Sequence, residues 1–101
     1  MRIISRKALV EFWTVHRDSR APLSNWYKVV KAATWKTSAD VKQTFGTVDQ
    51  PTVNGKRIAI FNVGGNKYRI VANIHFNLQK VYIRAILTHA EYETGKWRTR
   101  I

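Results

Sequence analysis

The fold is decided by residues 57–75, which read RIAIFNVGGNKYRIVANIH. Two runs in which apolar and polar residues tend to alternate, residues 57–63 and residues 67–75, flank a short segment rich in glycine. Glycine and asparagine supply the positive φ angles of a tight hairpin turn, which can be centred on Gly64-Gly65 or on Gly65-Asn66. The sequence therefore predicts two antiparallel strands joined by a two-residue turn.

Alternation assigns the side chains of this hairpin to two faces. A two-residue turn at Gly64-Gly65 pairs Ile60 with Arg69. The apolar residues then share one face, which is the predicted core face: Phe61, Val63, Tyr68, Ile70, Ala72 and Ile74.

A third strand, around the sequence VYIRAIL at residues 81–87, follows a second turn near Asn77-Leu78. If that turn has an even number of residues, alternation sends Tyr82, Arg84 and Ile86 to the face opposite the core. The core face then receives the other four residues, Val81, Ile83, Ala85 and Leu87.

In this arrangement Arg69 and Arg84 become diagonal neighbours on adjacent strands, with Lys67 one residue pair away. Two guanidiniums so placed suit bidentate recognition of a phosphate. A solvated sheet face with no ligand would have the same sequence pattern.

Two amphipathic helices precede the strands. Apolar residues recur at helical spacing in two segments separated by Pro22, which interrupts one helix and fits the first turn of the next. Two short helices ahead of a strand meander predict an α+β fold, with the two N-terminal helices packed on one face of a small, mainly antiparallel sheet. The two apolar stripes are Leu9, Phe12, Trp13 and His16, then Leu23, Trp26, Tyr27 and Val30.

The remaining segments carry weaker patterns. Residues 2–5 are expected to form a short opening strand, and residues 39–42 at most one capped helical turn. Residues 46–55 are expected to be a loop within one domain that spans residues 1–101.

The composition is that of a folded and strongly basic protein. Hydrophobic residues make up 45% of the 101 residues, and 18 Lys and Arg against 6 Asp and Glu give a formal net charge of +12. Such a basic surface indicates a polyanionic partner, and nucleic acid is favoured over a membrane because no apolar run is long enough to span a bilayer. We expect the protein in the cytoplasm.

No sequence feature indicates a metal or a cofactor. The chain has no cysteine, and its three histidines, His16, His75 and His89, lack the short spacing of metal ligands. The residues that remain for chemistry are Lys67, Arg69, Arg84, His89, Glu91 and Tyr92.

This set suits cleavage of an RNA phosphodiester without a metal, in which the ribose 2′-hydroxyl attacks the adjacent phosphorus. Arg69 and Arg84 would neutralise the charge that develops on the phosphorane. Proton transfer would fall to His89, Glu91 or Tyr92, which we expect at the end of the third strand.

Further basic and hydrogen-bonding residues are candidates for RNA contacts: Lys56, Arg57, Asn73, Lys96, Trp97 and Arg98. Trp97 lies in a basic C-terminal segment, where its indole could stack on a base or dock on the sheet. A rival interpretation is a non-catalytic RNA- or DNA-binding module that uses the same basic face only to hold phosphates. Such a module has no need of His89, Glu91 and Tyr92 beside two arginines.

Five blocks of sequence resemble, in order, the HigB family of type II toxin-antitoxin toxins, in the RelE-like superfamily. The blocks are APLSNWY (21–27), WKTSADVK (35–42), RIAIFNVGGNKYR (57–69), VYIR (81–84) and THAEY (88–92). The sequence ETGKWR after Tyr92 departs from the acidic and apolar ending expected of this family.

The resemblance implies a RelE-like fold and ribosome-dependent cleavage of mRNA during translation. It also implies neutralisation by a helix-turn-helix antitoxin of the HigA type. Matching positions assign catalysis to Lys67, Arg69, Arg84, His89 and Tyr92, and a catalytic or orienting role to Glu91.

Overall fold

A computed structural model describes the whole chain, Met1–Ile101. None of its helices is long and apolar enough to cross a membrane. In chain order the elements are β1 (Arg2–Ile4), α1 (Arg6–Val15), a first 3₁₀ helix (Arg17–Ser19), α2 (Arg20–Ala32), α3 (Ser38–Thr44), β2 (Thr52–Val53), β3 (Lys56–Arg57), β4 (Ala59–Val63), β5 (Tyr68–His75), β6 (Lys80–Thr88), α4 (His89–Thr94) and a second 3₁₀ helix (Lys96–Arg100).

The main sheet has four strands in the order β1-β6-β5-β4. β4, β5 and β6 form an antiparallel meander, and β1 pairs in parallel with β6. Helices α1 and α2 contribute Leu9, Leu23, Trp26 and Val30 to the core on one face of this sheet. The predicted α+β fold, with two N-terminal helices on one face of a mainly antiparallel sheet, is confirmed.

The β4–β5 turn spans four residues, Gly64–Lys67, instead of two. Val63 therefore pairs with Tyr68, and the predicted pairing of Ile60 with Arg69 is wrong. Both glycines have positive φ, 65° and 68°, which lets the longer turn close. Because the register moves by two residues, alternation is preserved and the predicted core face is confirmed: Phe61, Val63, Tyr68, Ile70, Ala72 and Ile74.

A β-bulge interrupts the pairing of β5 with β6. Val71 pairs with Ala85, whereas the next residue, Ala72, pairs with Ile83. Arg84 is the extra residue of the bulge, and its side chain is exposed. A bulge of this kind bends the strand and shifts the alternation beyond it.

This bulge explains why part of the predicted β6 pattern is wrong. Val81 and Ile83 face the main core as predicted. Beyond the bulge the faces exchange, so Ile86 packs against the main core, while Ala85 and Leu87 pack on the opposite face.

The opposite face carries a second, smaller apolar cluster, formed by Val53, Ile58, Ile60, Val71 and Trp97. Trp97 is only 4% exposed, so its indole is not free to stack on a base, which is one of the two positions that the sequence left open. The second 3₁₀ helix instead docks this side chain on the sheet. Val53 comes from strand β2, so residues 46–55 are not entirely loop as predicted.

Two shorter elements also differ in extent from their predictions. The opening strand is confirmed, since β1 covers Arg2–Ile4. Helix α3 has seven residues instead of a single turn, because Thr37 and Asp40 form a reciprocal capping box at its start.

Burial of Trp97 predicts a large cost for removing its side chain. Trp97→Ala should lower the free energy of unfolding by about 3–5 kcal/mol, since it leaves a cavity in the second cluster. Leu78→Ala is the control, because Leu78 is 55% exposed, and it should change stability by less than about 0.5 kcal/mol. Denaturant unfolding of both variants measures this, and equal stability of Trp97→Ala and wild type would contradict the docked position.

Candidate active site

Only Thr88 of the segment THAEY lies at the end of a strand as predicted, because helix α4 begins at His89. The Thr88 hydroxyl accepts a hydrogen bond from the Glu91 N–H (3.2 Å), and Glu91 Oε1 accepts one from the Thr88 N–H (2.9 Å). Gly95 ends the helix with φ of 71°. The spacing of Thr88 and Glu91 is the capping-box pattern, which the sequence already contained. The Glu91 carboxylate therefore holds the helix start.

Helix α4 is attached directly to the β4–β5 turn. The His89 backbone N–H donates to the Lys67 carbonyl at 2.8 Å, and Tyr68 pairs with Thr88 in the ladder. As a result, the turn and the first turn of α4 form one surface. This surface brings Lys67, Arg69, His89 and Tyr92 together.

Arg69 is buried at this junction, with 7% of the residue exposed. Its Nη1 donates to the carbonyls of Asn66 (3.1 Å) and Tyr68 (3.2 Å), and its Nη2 lies 3.4 Å from His89 Nδ1. No carboxylate contacts the guanidinium. A guanidinium has five N–H donors, so two remain for an anion.

The guanidinium of Arg69 lies over the Tyr92 ring, 5.2 Å from the ring centroid. The indole of Trp97 stacks on the Tyr92 ring, with 5.5 Å between the ring centroids and an interplanar angle of 14°. Trp97 Nε1 donates to the Tyr92 carbonyl (3.0 Å), and the guanidinium of Arg98 lies 5.0 Å from the indole. The C-terminal segment therefore packs against the Tyr92 ring, and the Arg69 guanidinium lies on that ring.

His89 lies between a cation and an anion. A guanidinium can only donate, so His89 Nδ1 accepts from Arg69 when the imidazole is neutral with its proton on Nε2. Glu93 Oε1, one helical turn away, is 3.6 Å from that Nε2, which is an ion-pair distance and too long for a hydrogen bond. The His89 side chain is 51% exposed, so a substrate can reach it.

Arg84 lies apart from this group, and the predicted diagonal pair of arginines is wrong. Leu87 is the residue opposite Arg69, and Arg84 is three positions away in the bulge. The cause is the β-bulge, which shifts the β5–β6 register by one residue between Val71 and Ala72. Arg69 lies on the face opposite the main core, but it is buried there instead of solvated.

The family of the chain follows from comparison with known proteins. Residues 19–95 match the model of the HigB toxin family, described as the RelE-like toxic component of a toxin-antitoxin system. This chain belongs to the HigB toxin family. That membership confirms the resemblance in its sequence and favours a toxin over a non-catalytic binding module.

Relatives of the toxin match it over nearly their whole length. It is 34% identical over 105 residues to the mRNA interferase toxin HigB of Escherichia coli K12, an alignment that covers 99% of this chain and 97% of the relative. The mRNA interferase HigB of Shigella flexneri has the same identity and coverage. An mRNA interferase HigB of Escherichia coli O6:H1 is 28% identical over 93 residues, with coverage of 92% and 89%.

The other predicted RNA contacts of the toxin border the second cluster. Lys56 and Arg57 form the exposed strand β3, and Asn73 follows Arg69 and Val71 on the same face of β5. Lys96 and Arg98 are exposed on the second 3₁₀ helix. No three His, Asp or Glu side chains of the toxin are close enough together to hold a metal ion.

Asp18 is a residue of the site region that the sequence did not indicate. Its carboxylate contacts Lys67 Nζ at 3.1 Å and accepts a hydrogen bond from the Tyr68 hydroxyl. The bond from Tyr68, followed by that from Lys67, holds the pKa of Asp18 below its ordinary value of 3.8. The same bond to Asp18 raises the pKa of Tyr68. Asp18 and Lys67 are 49 residues apart, so no local pattern connects them.

These contacts predict a pH-dependent contribution of Asp18 to stability. The pKa of Asp18 is lower in the folded toxin than the ordinary value of 3.8, so its charge stabilises the fold above that pH. This contribution is lost as the pH falls through the folded pKa. Asp18→Asn should therefore lower the urea midpoint at pH 7, and its difference from wild type should shrink below about pH 4.

Asp49→Asn is the matched control, because the Asp49 side chain is exposed and makes no ion pair. It should leave the midpoint near that of wild type at each pH. A loss for Asp18→Asn that is the same at pH 7 and at pH 3 would contradict the role of the carboxylate charge.

Proposed function

We propose that this toxin is an mRNA interferase that cuts translated mRNA on the ribosome, in the cytoplasm, without a metal or other cofactor. Relatives named mRNA interferase support the activity. The observation that supports the mechanism is the buried Arg69 guanidinium beside His89, with no carboxylate to neutralise it.

The proposed reaction uses the RNA as its own nucleophile. The 2′-hydroxyl loses its proton and attacks the adjacent phosphorus, a cyclic 2′,3′-phosphate forms, and the 5′-oxygen of the next nucleotide leaves with a proton. No bond to the protein forms. The toxin therefore has to hold the scissile phosphate, stabilise its added negative charge and move two protons.

Arg69 is proposed to bind the scissile phosphate. Its position is set by two backbone carbonyls and by the Tyr92 ring, so little reorganisation is needed when the charge develops. Lys67, whose side chain is 69% exposed and tethered to Asp18, adds a second positive charge at the edge of the turn.

His89 is proposed to take the proton of the 2′-hydroxyl. The 2′-hydroxyl would take the place of Arg69 Nη2, 3.4 Å away, as the donor to His89 Nδ1 and would pass its proton to that nitrogen. The carboxylate of Glu93 is placed to stabilise the imidazolium that results. Tyr92 is the alternative group for proton transfer, and its packing on Trp97 limits its movement. Glu91 acts by orienting α4.

Arg84 and the exposed residues around the second cluster are proposed to contact the RNA backbone on either side of the cut. These contacts position the strand without sequence selectivity. The proposed RNA-contact set is Lys56, Arg57, Asn73, Arg84, Lys96 and Arg98.

The antitoxin partner is proposed to be a helix-turn-helix protein of the HigA type. With a net charge of +12, the toxin should attract an acidic or amphipathic segment of that partner. Masking of Arg69 and its neighbours would block access of the mRNA.

The structure predicts different consequences for the two arginines. Arg69→Ala should slow single-turnover cleavage on programmed ribosomes by about 100- to 1,000-fold, because it removes a preset donor to the transition state. Arg69→Lys should also be slow, since an ammonium cannot reproduce the planar fork. Arg84→Ala should mainly weaken binding and reduce the slope of log K against log salt by about 0.7.

Arg84→Ala thus serves as the charge-matched control for Arg69→Ala. Circular dichroism and unfolding midpoints establish that both variants fold. If Arg69→Ala cuts as fast as Arg84→Ala at saturating toxin, Arg69 does not act in the chemical step.

A further inference from the structure

A groove between helices α1 and α2 combines positive charge with aromatic surface. Its volume is about 270 Å³, and Leu9 and Ser24 lie among its lining residues. The remaining lining residues are aromatic or basic, namely Arg6, Trp13, Tyr27, Lys28 and Lys31. No residue of the candidate active site lines this α1–α2 groove.

The cations of the groove rest on aromatic rings and not on acids. Arg6 lies 5.4 Å and Lys31 5.8 Å from the centroid of the Tyr27 ring. Arg20 lies 6.0 Å from the Trp13 ring, in an adjoining pocket that Arg17 also lines. Cations over such half-buried rings at the surface are held weakly and keep their charge available.

None of the five cations of the groove and the adjoining pocket has an ion-pair partner. They are Arg6, Lys28 and Lys31 in the groove and Arg17 and Arg20 in the pocket. The ion pairs of the structure join Lys7 to Glu11, Lys67 to Asp18 and His89 to Glu93. No acidic residue lines the groove or the adjoining pocket. The surface is therefore an uncompensated positive patch whose partner should be an anion.

We propose that the α1–α2 groove binds single-stranded RNA, with a base stacked on Tyr27 and the flanking phosphates on Arg6, Lys28 and Lys31. Half-buried aromatic rings beside free cations are the arrangement by which proteins hold single strands without sequence preference. The volume is slightly below the range of about 300–1,000 Å³ that is typical of small-molecule sites, so the groove suits one base.

This site goes beyond the proposed cleavage reaction. It would give the toxin a second hold on RNA that shares no residue with Arg69 and His89. Its occupancy does not require a 2′-hydroxyl at the scissile position or any chemical step. The two proposals can therefore fail independently.

The test is binding of a fluorescent, uridine-rich 2′-O-methyl oligonucleotide, which the toxin cannot cut because the nucleophile is blocked. The groove variant is Arg6→Ala with Lys31→Ala. Its control is Arg2→Ala with Lys36→Ala, which also removes one exposed arginine and one exposed lysine but lies outside the groove. The groove variant should reduce the slope of log K against log salt by about 1.4, from about 0.7 for each lost phosphate contact.

A second pair of variants tests the aromatic ring at constant charge. Tyr27→Leu keeps an apolar side chain in the helix packing, and it should weaken binding by about 5- to 150-fold, the equivalent of one lost base stack. Tyr27→Phe keeps the ring and should bind as wild type does. Unfolding midpoints of all variants establish that the fold is retained.

Equal losses for the groove variant and its control would overturn the proposal, and so would wild-type affinity of Tyr27→Leu. A polyglutamate peptide tests an acidic protein segment as the occupant. If the groove variant loses affinity for that peptide and binds RNA as the control does, RNA is not the ligand of the groove.

Discussion

A buried guanidinium without a carboxylate partner determines how the end of the sheet is built. Burial of an unpaired charge is costly unless its donors are satisfied. Arg69 meets this constraint with two carbonyls of its own hairpin, a histidine nitrogen and the face of a tyrosine. None of these partners is a carboxylate, so they hold the side chain in place without neutralising its positive charge.

The groups that hold Arg69 come from three different elements: the β4–β5 turn, helix α4 and the C-terminal 3₁₀ helix. The four-residue turn brings the Asn66 carbonyl to the guanidinium, and the capping box of α4 fixes the first turn that carries His89. The C-terminal 3₁₀ helix inserts Trp97 behind Tyr92. Asn54 in the β2–β3 turn donates to the Arg98 carbonyl at 2.8 Å, which ties that segment to the rest of the second cluster. The surface around Arg69 is thus supported by a small core of its own, separate from the core beneath the helices.

Much of this architecture could be predicted from the sequence, because it depends on local periodicity. Alternation identified the core face of β4 and β5 even though the predicted turn was two residues shorter than the observed one. A shift of two residues in the strand register leaves each side chain on the same face. The capping box at Thr88 and Glu91 was also present in the sequence, but the segment was interpreted as a strand end. The bulge at Arg84 could not be predicted, because only pairing with β5 creates it. The contact of Asp18 with Lys67 joins two segments 49 residues apart in the sequence, which only the fold brings together.

We propose that Arg69 is held ready for a phosphate, and NMR can observe that side chain directly. The measurement is the ¹H–¹⁵N resonance of Arg69 Nε during titration with a short 2′-O-methyl RNA, with assignment by Arg69→Lys. Because the guanidinium is ordered before RNA binds, the resonance should be visible in the free toxin, and it should shift and saturate with the affinity measured for the RNA. A resonance that stays in place while the RNA binds would show that the phosphate does not contact Arg69.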